Sequence, residues 1–391
     1  MSFVQLRGIT KSYGATNVLD GIDLSIEEGE FVSLLGPSGC GKTTTLRIIA
    51  GFDRADAGSL EVGGERLDDV PAHKRNIGVV FQHYALFPHM TVFQNVAFGL
   101  RERKVAKREI ATRVHEALDT VQMGDVGQRM PSALSGGQQQ RIALARALVI
   151  RPRVLLLDES LGALDKRLRT DMQVELRRIQ REYGITTVFV THDQEEALTL
   201  SDRIAVMNAG HILQFDTPAA SYETPSSPYV AAALGEANIL TGVARSTRAG
   251  EAELTGAADG TAPAVPFTCR RPLSDGAACT LVVRPQDVRV HPDDPTAGRW
   301  TGRIRFVSFA GSMSHLIVDA YGQQLKVQVP HDAEHAFELR EGQQVGLSWA
   351  SSRVHAIPGG VDAQDAEAIA AIDGGADDLG TRGTVAVDSG R

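Results

Sequence analysis

The stretch Phe31–Gly51, FVSLLGPSGCGKTTTLRIIAG, joins a short apolar run, a glycine-rich loop and a helix-like segment. The apolar run predicts a buried strand, and Thr44–Ala50 predicts a helix closed by Gly51. The loop between them, Gly36–Thr43, matches GxxxxGK[ST] in full, and its position between a strand and a helix makes the pattern specific for phosphate. Glycines let backbone N–H groups converge on phosphate oxygens, and the helix N-terminus adds its positive dipole end. The sequence therefore predicts an α/β fold built around this loop.

Two side chains of the loop and one distant carboxylate predict the contacts to phosphate and metal. Lys42 is placed to reach the β- and γ-phosphates of a nucleotide, and Thr43 is placed to bind Mg²⁺. Four apolar residues, Val154–Leu157, predict a parallel strand that is covered on both faces, and Asp158 ends it. A carboxylate there is suited to hold Mg²⁺ through water, so Asp158 and Thr43 are candidate metal ligands.

Glu159 and His192 are the candidate catalytic residues. Glu159 follows the metal candidate directly and is suited to polarise an attacking water. His192 follows a second buried strand, so it is expected at the same edge of the sheet, where it contacts the γ-phosphate and orients Glu159 or the water. Asp193 and Glu196, just beyond it, are spaced as a capping box for the next short helix.

The stretch Leu134–Gln138, LSGGQ, heads a predicted helix that runs to Val149. Ser135 and the two glycines after it make a second helix N-terminus able to hold a phosphate. One protomer already has its phosphate site in Gly36–Thr43. The second site therefore implies that another copy of the chain takes part.

The periodicity predicts a first domain over 1–235 with an α-rich insert at about 88–152. Phe3–Ile9 alternates like a strand, and apolar spacing predicts helices over Val92–Leu100 and Ile110–Val121. Repeated strand–helix–strand units indicate a largely parallel sheet with right-handed crossovers.

The composition changes after residue 235. Short β-patterned runs separated by turn residues predict a small β-barrel domain over 236–358. Residues 359–391 are rich in Gly, Ala and Asp, lack aromatic residues, and carry seven acidic and two basic residues. Such a segment cannot bury enough apolar surface to offset its ordering entropy, so we predict a disordered acidic tail.

Length and composition exclude several classes of protein. The 391 residues allow two or three domains, and 42% hydrophobic with 23% charged residues is typical of globular chains. A formal charge of −8 offers no basic field for nucleic acid.

Three scattered cysteines, Cys40, Cys269 and Cys279, do not form a disulfide framework and favour a reduced, cytoplasmic location. The start, MSFVQLRGITKSYG, lacks a signal-peptide core, and no apolar run approaches the ~18 residues that cross a bilayer, so membrane work is expected through a partner.

Taken together, the motifs resemble those of the ATP-binding subunits of ABC transporters, over essentially residues 3–235. The segments that carry the resemblance are KSYG at 11–14, similar to the adenine-stacking aromatic; GPSGCGKTT at 36–44, similar to Walker A; VVFQHYALFPHMTV at 79–92, similar to the Q-loop; LSGGQQQR at 134–141, similar to the signature; VLLLDE at 154–159, similar to Walker B; LGALD at 161–165, similar to the D-loop; and VTHDQEEAL at 190–198, similar to the switch-histidine segment.

The resemblance implies a site for ATP and Mg²⁺ and names the residues that form it. The expected nucleotide contacts are Tyr13, Gly36, Pro37, Ser38, Gly39, Cys40, Gly41, Lys42, Thr43, Thr44 and Gln82, together with Ser135, Gly136, Gly137 and Gln138. Thr43, Gln82 and Asp158 are expected at Mg²⁺, and Glu159 and His192 in catalysis. The family also implies a head-to-tail dimer, in which each ATP lies between the Walker A loop of one protomer and the LSGGQ segment of the other.

One position departs from the family pattern, which usually has Pro after the catalytic Glu. Pro would fix φ and withhold an N–H, so Ser160 is expected to loosen the following loop slightly while hydrolysis survives. Gln82 and the region Tyr84–Leu100 are expected to couple the nucleotide site to permease helices. The alternative for this region is a packed helix entry.

The second domain resembles the oligomer-binding-like barrel called TOBE, which follows the ATPase domain in importers of polyamines, sugars, iron and similar solutes. The likeness rests on LVVRPQDV at Leu281–Val288 and on Gly302–Pro330, with Gly311 and Ser312 in its middle. A domain that serves only dimer contacts is the alternative. Barrels of this kind also bind nucleic acid, but basic residues with interleaved aromatics are not evident.

The stretches 162–208 and 234–242 resemble spermidine/putrescine importer ATPases, which implies polyamine import. Importers of iron(III), aminoethylphosphonate, sugar or sulfate stay open, because the solute meets a binding protein and a permease rather than this subunit. The implied partners are a second copy of the chain, permease transmembrane subunits and, indirectly, a periplasmic or extracellular solute-binding protein. The implied location is peripheral, at the cytoplasmic face of the inner (plasma) membrane.

Two hypotheses of other classes are less favoured. A soluble ABC ATPase acting on DNA or ribosomes typically has two cassettes or long coiled coils and a basic surface, and none of these is seen in the sequence. A phosphate-loop metabolite kinase would lack LSGGQ. We therefore expect no nucleic-acid partner.

Overall fold

A computed structural model describes residues 2–162, 165–248, 251–256, 262–268, 273–331, 339–361 and 363–374. The chain divides into two compact units, Met1–Ala220 and Ser221–Arg391. This division precedes the predicted boundary near 235, because the short helical stretch beyond Ala220 packs with the second unit. Its Ala231 lies in a buried cluster with Val282 and Ile357.

The first unit alternates strands and helices, as the motifs predict. Its strands are β1 (Ser2–Tyr13), β2 (Thr16–Glu27), β3 (Phe31–Leu35), β4 (Ala57–Val62), β5 (Glu65–Arg66), β6 (Ile77–Val80), β7 (Val154–Asp158), β8 (Thr186–Thr191), β9 (Arg203–Asn208) and β10 (His211–Asp216). Its helices are α1 (Lys42–Ala50), α2 (Val92–Glu102), α3 (Lys107–Thr120), α4 (Gly136–Leu148), α5 (Lys166–Tyr183) and α6 (Gln194–Leu200), and α7 (Pro218–Glu223) crosses into the second unit.

The central sheet of this unit has the order β10-β9-β3-β8-β7-β6, and β10 alone runs antiparallel to its neighbour. Both faces are covered, as the apolar run Val154–Leu157 predicts. Val154 and Leu156 face one core, with α1 and the antiparallel sheet β2-β1-β4-β5. Leu155 and Leu157 face the other, with α2 to α5. Every parallel strand is therefore fixed on both sides.

The helical segment between β6 and β7 contains α2, α3 and α4, where the sequence predicts an α-rich insert. The helices predicted over Val92–Leu100 and Ile110–Val121 are present as α2 and α3. Thr91 begins α2 with a complete capping box to Gln94. None of the helices in the described ranges is long and apolar enough to span a membrane.

The second unit is mainly antiparallel β-structure, as the short alternating runs predict. Its strands are β11 (Asn238–Arg248), β12 (Glu251–Thr255), β13 (Val265–Thr268), β14 (Ala278–Val283), β15 (Arg289–His291), β16 (Trp300–Phe309), β17 (Met313–Ala320), β18 (Gln323–Pro330), β19 (Gln344–Ser348) and β20 (Val354–Pro358). Its further helices are α8 (Pro228–Ala233) and α9 (Ala363–Gly374).

These strands form two five-stranded sheets, ordered β13-β12-β11-β14-β20 and β15-β19-β16-β17-β18. The sheets share one apolar core, which agrees with the predicted barrel-like domain. At its centre lies Trp300, fully buried, with edge-on contacts to Tyr321 and Trp349 at centroid distances of 5.2 and 5.5 Å. Its indole N–H donates to the Pro263 carbonyl, so the buried ring keeps no unsatisfied donor.

The segment predicted as a disordered tail, 359–391, differs from the structure in its first part. Within this segment Ala363–Gly374 forms α9, which packs against α8. The alanine-rich sequence AQDAEAIAAIDG has high helix propensity, and a neighbouring helix supplies the contact that propensity alone lacks. Residues 375–391 lie outside the described ranges.

The double coverage of the sheet makes Leu156 a test of the fold. Leu156→Ala is expected to lower the free energy of unfolding of the first unit by about 2–5 kcal/mol, because a buried cavity replaces the side chain. Leu213→Ala, on the edge strand β10 with 37% of the residue exposed, is the matched control and should change it by less than about 1 kcal/mol. Urea denaturation monitored by circular dichroism measures both. Equal losses would contradict the packing described above.

Candidate functional site

The glycine-rich loop Gly36–Thr43 lies between β3 and α1 and has no room for side chains at two of its glycines. A Cβ on Gly36 would lie 2.3 Å from the Met207 carbonyl oxygen. A Cβ on Gly41 would lie 2.4 Å from Leu19 Cδ2, and Gly41 has φ of 104°, which favours glycine. Packing and backbone conformation together therefore require glycine here, which leaves the loop amides close to any bound phosphate.

Lys42 lies inside this loop. Its ammonium donates to the Gly36 carbonyl at 2.6 Å and to the Pro37 carbonyl at 2.8 Å, and the residue is 4% exposed. The thiol of Cys40 lies 3.9 Å from the same Nζ. Burial raises the pKa of that thiol, and the Lys42 charge opposes the rise, so Cys40 stays a neutral neighbour. The loop thus fixes one positive charge at its centre.

Thr43 and Asp158 come from different elements and meet. The hydroxyl of Thr43, at the start of α1, donates to Asp158 Oδ1 at 3.2 Å, at the end of β7. Burial raises the pKa of Asp158; the bond from Thr43 opposes the rise, and the charge of Glu159 adds to it.

Two adjacent oxygen ligands of this kind suit Mg²⁺, which is usually held by one or two protein oxygens, water and phosphate. Among the described residues there is no group of three or more His, Cys, Asp or Glu side chains that could hold a metal alone. Thr43 and Asp158 therefore fit a cation that arrives with a nucleotide. Gln82, the third expected ligand, points its amide nitrogen to Glu159 instead.

Glu159 is held by both of the polar groups predicted near it. Gln82 Nε2 donates to Glu159 Oε2 at 2.9 Å, and His192 Nδ1 lies 3.5 Å from Glu159 Oε1. Glu159 has φ of 43°, in the left-handed region, and its N–H donates to the Val190 carbonyl at 3.0 Å. Such a backbone is uncommon for a residue with a side chain and occurs most at functional sites. The following Ser160 is 2% exposed, so this position lies in the interior.

Tyr13 lies at the end of β1 with 47% of its surface exposed. Its hydroxyl donates to Asp53 Oδ2 at 2.8 Å, and Arg47 Nε donates to the same oxygen at 2.6 Å. Burial and the bond to Asp53 both raise the pKa of Tyr13, while Arg47 lowers the pKa of Asp53. The hydroxyl is anchored and the ring is held, which suits stacking on a base. Sequence reasoning missed Asp53 and Arg47, since neither belongs to a motif.

The LSGGQ segment begins α4. Ser135 is the N-cap, its hydroxyl accepts from Gln138 N–H at 3.4 Å, and Gln138 Oε1 accepts from Ser135 N–H at 3.0 Å. Gly136 is exposed, with no atom within 4 Å of where a Cβ would stand, and Gly137 is buried. This capping box fixes a helix N-terminus whose outer face is open, as binding of an anion requires.

The segment after Gln82, residues 84–87, is held against α4 by one arginine. Tyr84 and Ala85 both have positive φ, 59° and 46°. Arg146, on α4, donates to the carbonyl of Ala85 at 2.7 Å and to that of Tyr84 at 2.8 Å, and its guanidinium lies 5.7 Å from the Phe87 ring centroid. Sequence reasoning singled out this segment but not Arg146, because no local pattern joins residues so distant in the chain.

Known protein families match both parts of the chain. Residues 19–162 match the family described as ABC transporter, and residues 281–357 match the TOBE domain. The spermidine/putrescine import ATP-binding protein PotA of Thermobifida fusca is 47% identical over 363 residues, covering 91% of this chain and 94% of that protein. PotA of Rubrobacter xylanophilus is 48% identical over 349 residues, covering 88% and 91%.

Two solved structures each resemble a little over half of this chain. The cbiO1 protein of Clostridium perfringens, part of the ABC transporter complex cbiONQ, has a TM-score of 0.53 at 30% identity and covers 56% of this chain and 89% of its own. The dimeric ATP-binding cassette MJ0796, bound to ADP and Pi in a post-hydrolysis state, has a TM-score of 0.51 at 33% identity and covers 55% and 98%.

The tight loop gives a prediction for nucleotide binding. Gly41→Ala should weaken the affinity for ATP by about tenfold or more, because the new methyl group displaces the loop from Leu19. Gly64→Ala is the matched control: it also has positive φ, but nothing lies within 4 Å of its Cβ position, so its affinity should be unchanged. Titration with a fluorescent ATP analogue measures both, after circular dichroism has verified folding. Equal affinities would contradict the steric argument.

Proposed function

Because the chain belongs to the ABC transporter family, we propose that it is the ATP-hydrolysing subunit of an importer for spermidine and putrescine. Its relatives are described as spermidine/putrescine import ATP-binding proteins over nearly the whole chain. This length of similarity includes the second unit as well as the cassette. It supports polyamines over iron(III), aminoethylphosphonate, sugar or sulfate.

One observation carries the enzymatic part of the proposal. The edge of the parallel sheet brings Thr43 to Asp158 at 3.2 Å and Gln82 to Glu159 at 2.9 Å, with His192 3.5 Å from the same carboxylate. These groups come from separate stretches of the chain, and each has a role in phosphoryl transfer to water. A glycine-rich turn without this function would not need them together.

Each residue then has a defined part in hydrolysis. Lys42 and the loop amides bind and orient the β- and γ-phosphates, and the ring of Tyr13 stacks on the adenine. Glu159 accepts a hydrogen bond from the attacking water and polarises it, while His192 orients Glu159 and contacts the γ-phosphate. Gln82 holds the carboxylate of Glu159 in position. Because the chain continues from Gln82 into the region Tyr84–Leu100, a permease bound to that region would change the position of this carboxylate.

Thr43 and Asp158 would hold Mg²⁺, and the cation would neutralise charge on the phosphates. Gln82 would add a ligand only through its amide oxygen, because its amide nitrogen bonds to Glu159. A second copy of the chain would supply Ser135–Gln138 to the nucleotide bound at Gly36–Thr43. The N-capped start of α4 is suited to that contact, because its open glycine face meets an anion without a side chain in the way.

The partners follow from the same proposal. The dimer would contact permease transmembrane subunits from the cytoplasmic face of the membrane, as a peripheral subunit, and a solute-binding protein would act only through the permease. The dimeric structure of the related cassette MJ0796 supports the pairing, and the import function named for the relatives supports the permease.

Glu159→Gln separates binding from chemistry. The substitution keeps the size of the side chain but removes the base, so turnover should fall by about 10²-fold or more while ATP binding persists and dimers accumulate. Lys42→Ala, in contrast, should lose ATP binding itself, because the central charge of the loop is gone. Phosphate release measures turnover, and light scattering after gel filtration measures the dimer. Unchanged turnover in Glu159→Gln would remove Glu159 from the role of base.

Reconstitution tests the solute. When the chain is reconstituted in vesicles with a permease and a solute-binding protein, ATP hydrolysis should rise on addition of spermidine or putrescine. It should stay at its basal rate with sulfate, maltose or iron(III). Vesicles carrying Glu159→Gln are the control for contaminating ATPases. Stimulation by one of the other solutes alone would replace the polyamine assignment and leave the ATPase assignment intact.

A further inference from the structure

The side chain of His192 is 60% exposed, so packing around its ring does not fix its position. What fixes it is the backbone on either side. His192 lies between Thr191, the last residue of β8, and Asp193, the N-cap of α6. The contacts of these two neighbours therefore fix the backbone position from which the imidazole reaches Glu159.

Thr191 connects both sides of His192 through one hydroxyl. This hydroxyl donates to Glu196 Oε2 at 2.6 Å and accepts from the N–H of Asp193 at 2.9 Å. Thr191 is 2% exposed and Glu196 is 3% exposed. The bond between Thr191 and Asp193 spans His192 and closes the backbone into a tight turn. The bond to Glu196 fixes the rotamer that makes this closure possible.

Glu196 does not make the contact that its spacing predicts. Asp193 caps α6 by accepting from Glu195 and Glu196 N–H groups at 2.8 and 3.2 Å, but the carboxylate of Glu196 turns to Thr191, so the predicted capping box is wrong. An exposed capping box would have left Glu196 hydrated. Its burial raises its pKa, and the hydrogen bond from Thr191 opposes that rise.

Arg169 joins this group to α5. Its Nη1 donates to Asp193 Oδ2 at 3.1 Å, and its Nε lies 3.8 Å from Glu196 Oε1. Arg169 stands one turn after Asp165, the residue that caps α5 and ends the segment resembling the D-loop. The two carboxylates that hold the turn are thus tied to the helix that follows that segment.

We propose that Thr191 and Glu196 are positioning residues, which hold the His192 turn so that its imidazole faces Glu159. A buried carboxylate is costly unless it is paired, and here it has a hydrogen bond and a nearby guanidinium, both of which act on the His192 turn. A purely structural threonine at the end of β8 would need no such partner. The inference rests on the proposed ATPase function, since it concerns the geometry of that reaction.

Thr191→Val tests it with little change in shape. The variant removes the bridging hydroxyl but keeps a β-branched side chain in the strand, so kcat for ATP hydrolysis should fall by about tenfold with KM for ATP nearly unchanged. Thr191→Ser restores the hydroxyl and should recover most of the rate. Thr187→Val is the matched control, because Thr187 lies buried in the same strand and, within the described part of the chain, its hydroxyl bonds only to the Ile185 carbonyl. Its kcat should equal that of the wild type.

A double-mutant cycle separates positioning from general damage. If Thr191 acts through His192, then Thr191→Val should cause no further loss in a His192→Ala background. Losses that multiply, or a Thr191→Val enzyme with the wild-type kcat, would overturn the inference.

If circular dichroism shows that Thr191→Val does not fold, Glu196→Leu takes its place, because leucine offers the Thr191 hydroxyl no acceptor. The exposed neighbour Glu195→Leu is its control, and the same cycle decides. The full-length chain with ATP and Mg²⁺ is used throughout. A wild-type chain without any ATP hydrolysis would instead refute the proposed function, so the two failures are distinguishable.

Discussion

The site depends on one geometric constraint, which is that neighbouring parallel strands end together at a single edge of the sheet. Leu35, the last residue of β3, is paired with Thr191 of β8, and Asp158 of β7 is paired with Val190 of β8. Strand spacing of about 4.8 Å then places whatever follows each strand within a few ångströms of its neighbour. The double coverage of the sheet holds this register, because a slip by one residue would turn buried leucines toward the wrong core.

The predictable part of the site is the part that local sequence determines. Each motif residue follows an apolar run, so the strand and its end could be read together, and parallel topology then gave the convergence of Thr43, Asp158, Glu159 and His192. The sequence does not predict which partner a polar side chain contacts when two partners are within its reach. Glu196 has the spacing of a capping box, but Thr191 and Arg169 offer it buried contacts, and only the tertiary structure decides between them.

The same limit explains the other differences. The helix α9 forms in a segment whose composition favours disorder, because α8 provides a packing surface that composition does not report. The hydrogen bond between Tyr13 and Asp53 depends on the turn after α1, and the local sequence KSYG does not predict it. In each case a contact between distant residues overrides a local tendency, as is usual where propensity is weak.

Arg146 links α4, the helix that follows the LSGGQ segment, to the segment after Gln82, which we propose contacts the permease. Tyr84 and Ala85 are consecutive residues with positive φ, a conformation that costs about 1–3 kcal/mol each, so other contacts must stabilise them. Arg146 does so through both carbonyls. Ser135 is the N-cap of α4, so Arg146 connects the helix that follows the LSGGQ segment to the segment beside Gln82. In the dimer proposed above, a movement of α4 would reach Gln82 through Arg146. A rigid, charged link is suited to this, because a guanidinium with two fixed acceptors transmits displacement rather than absorbing it.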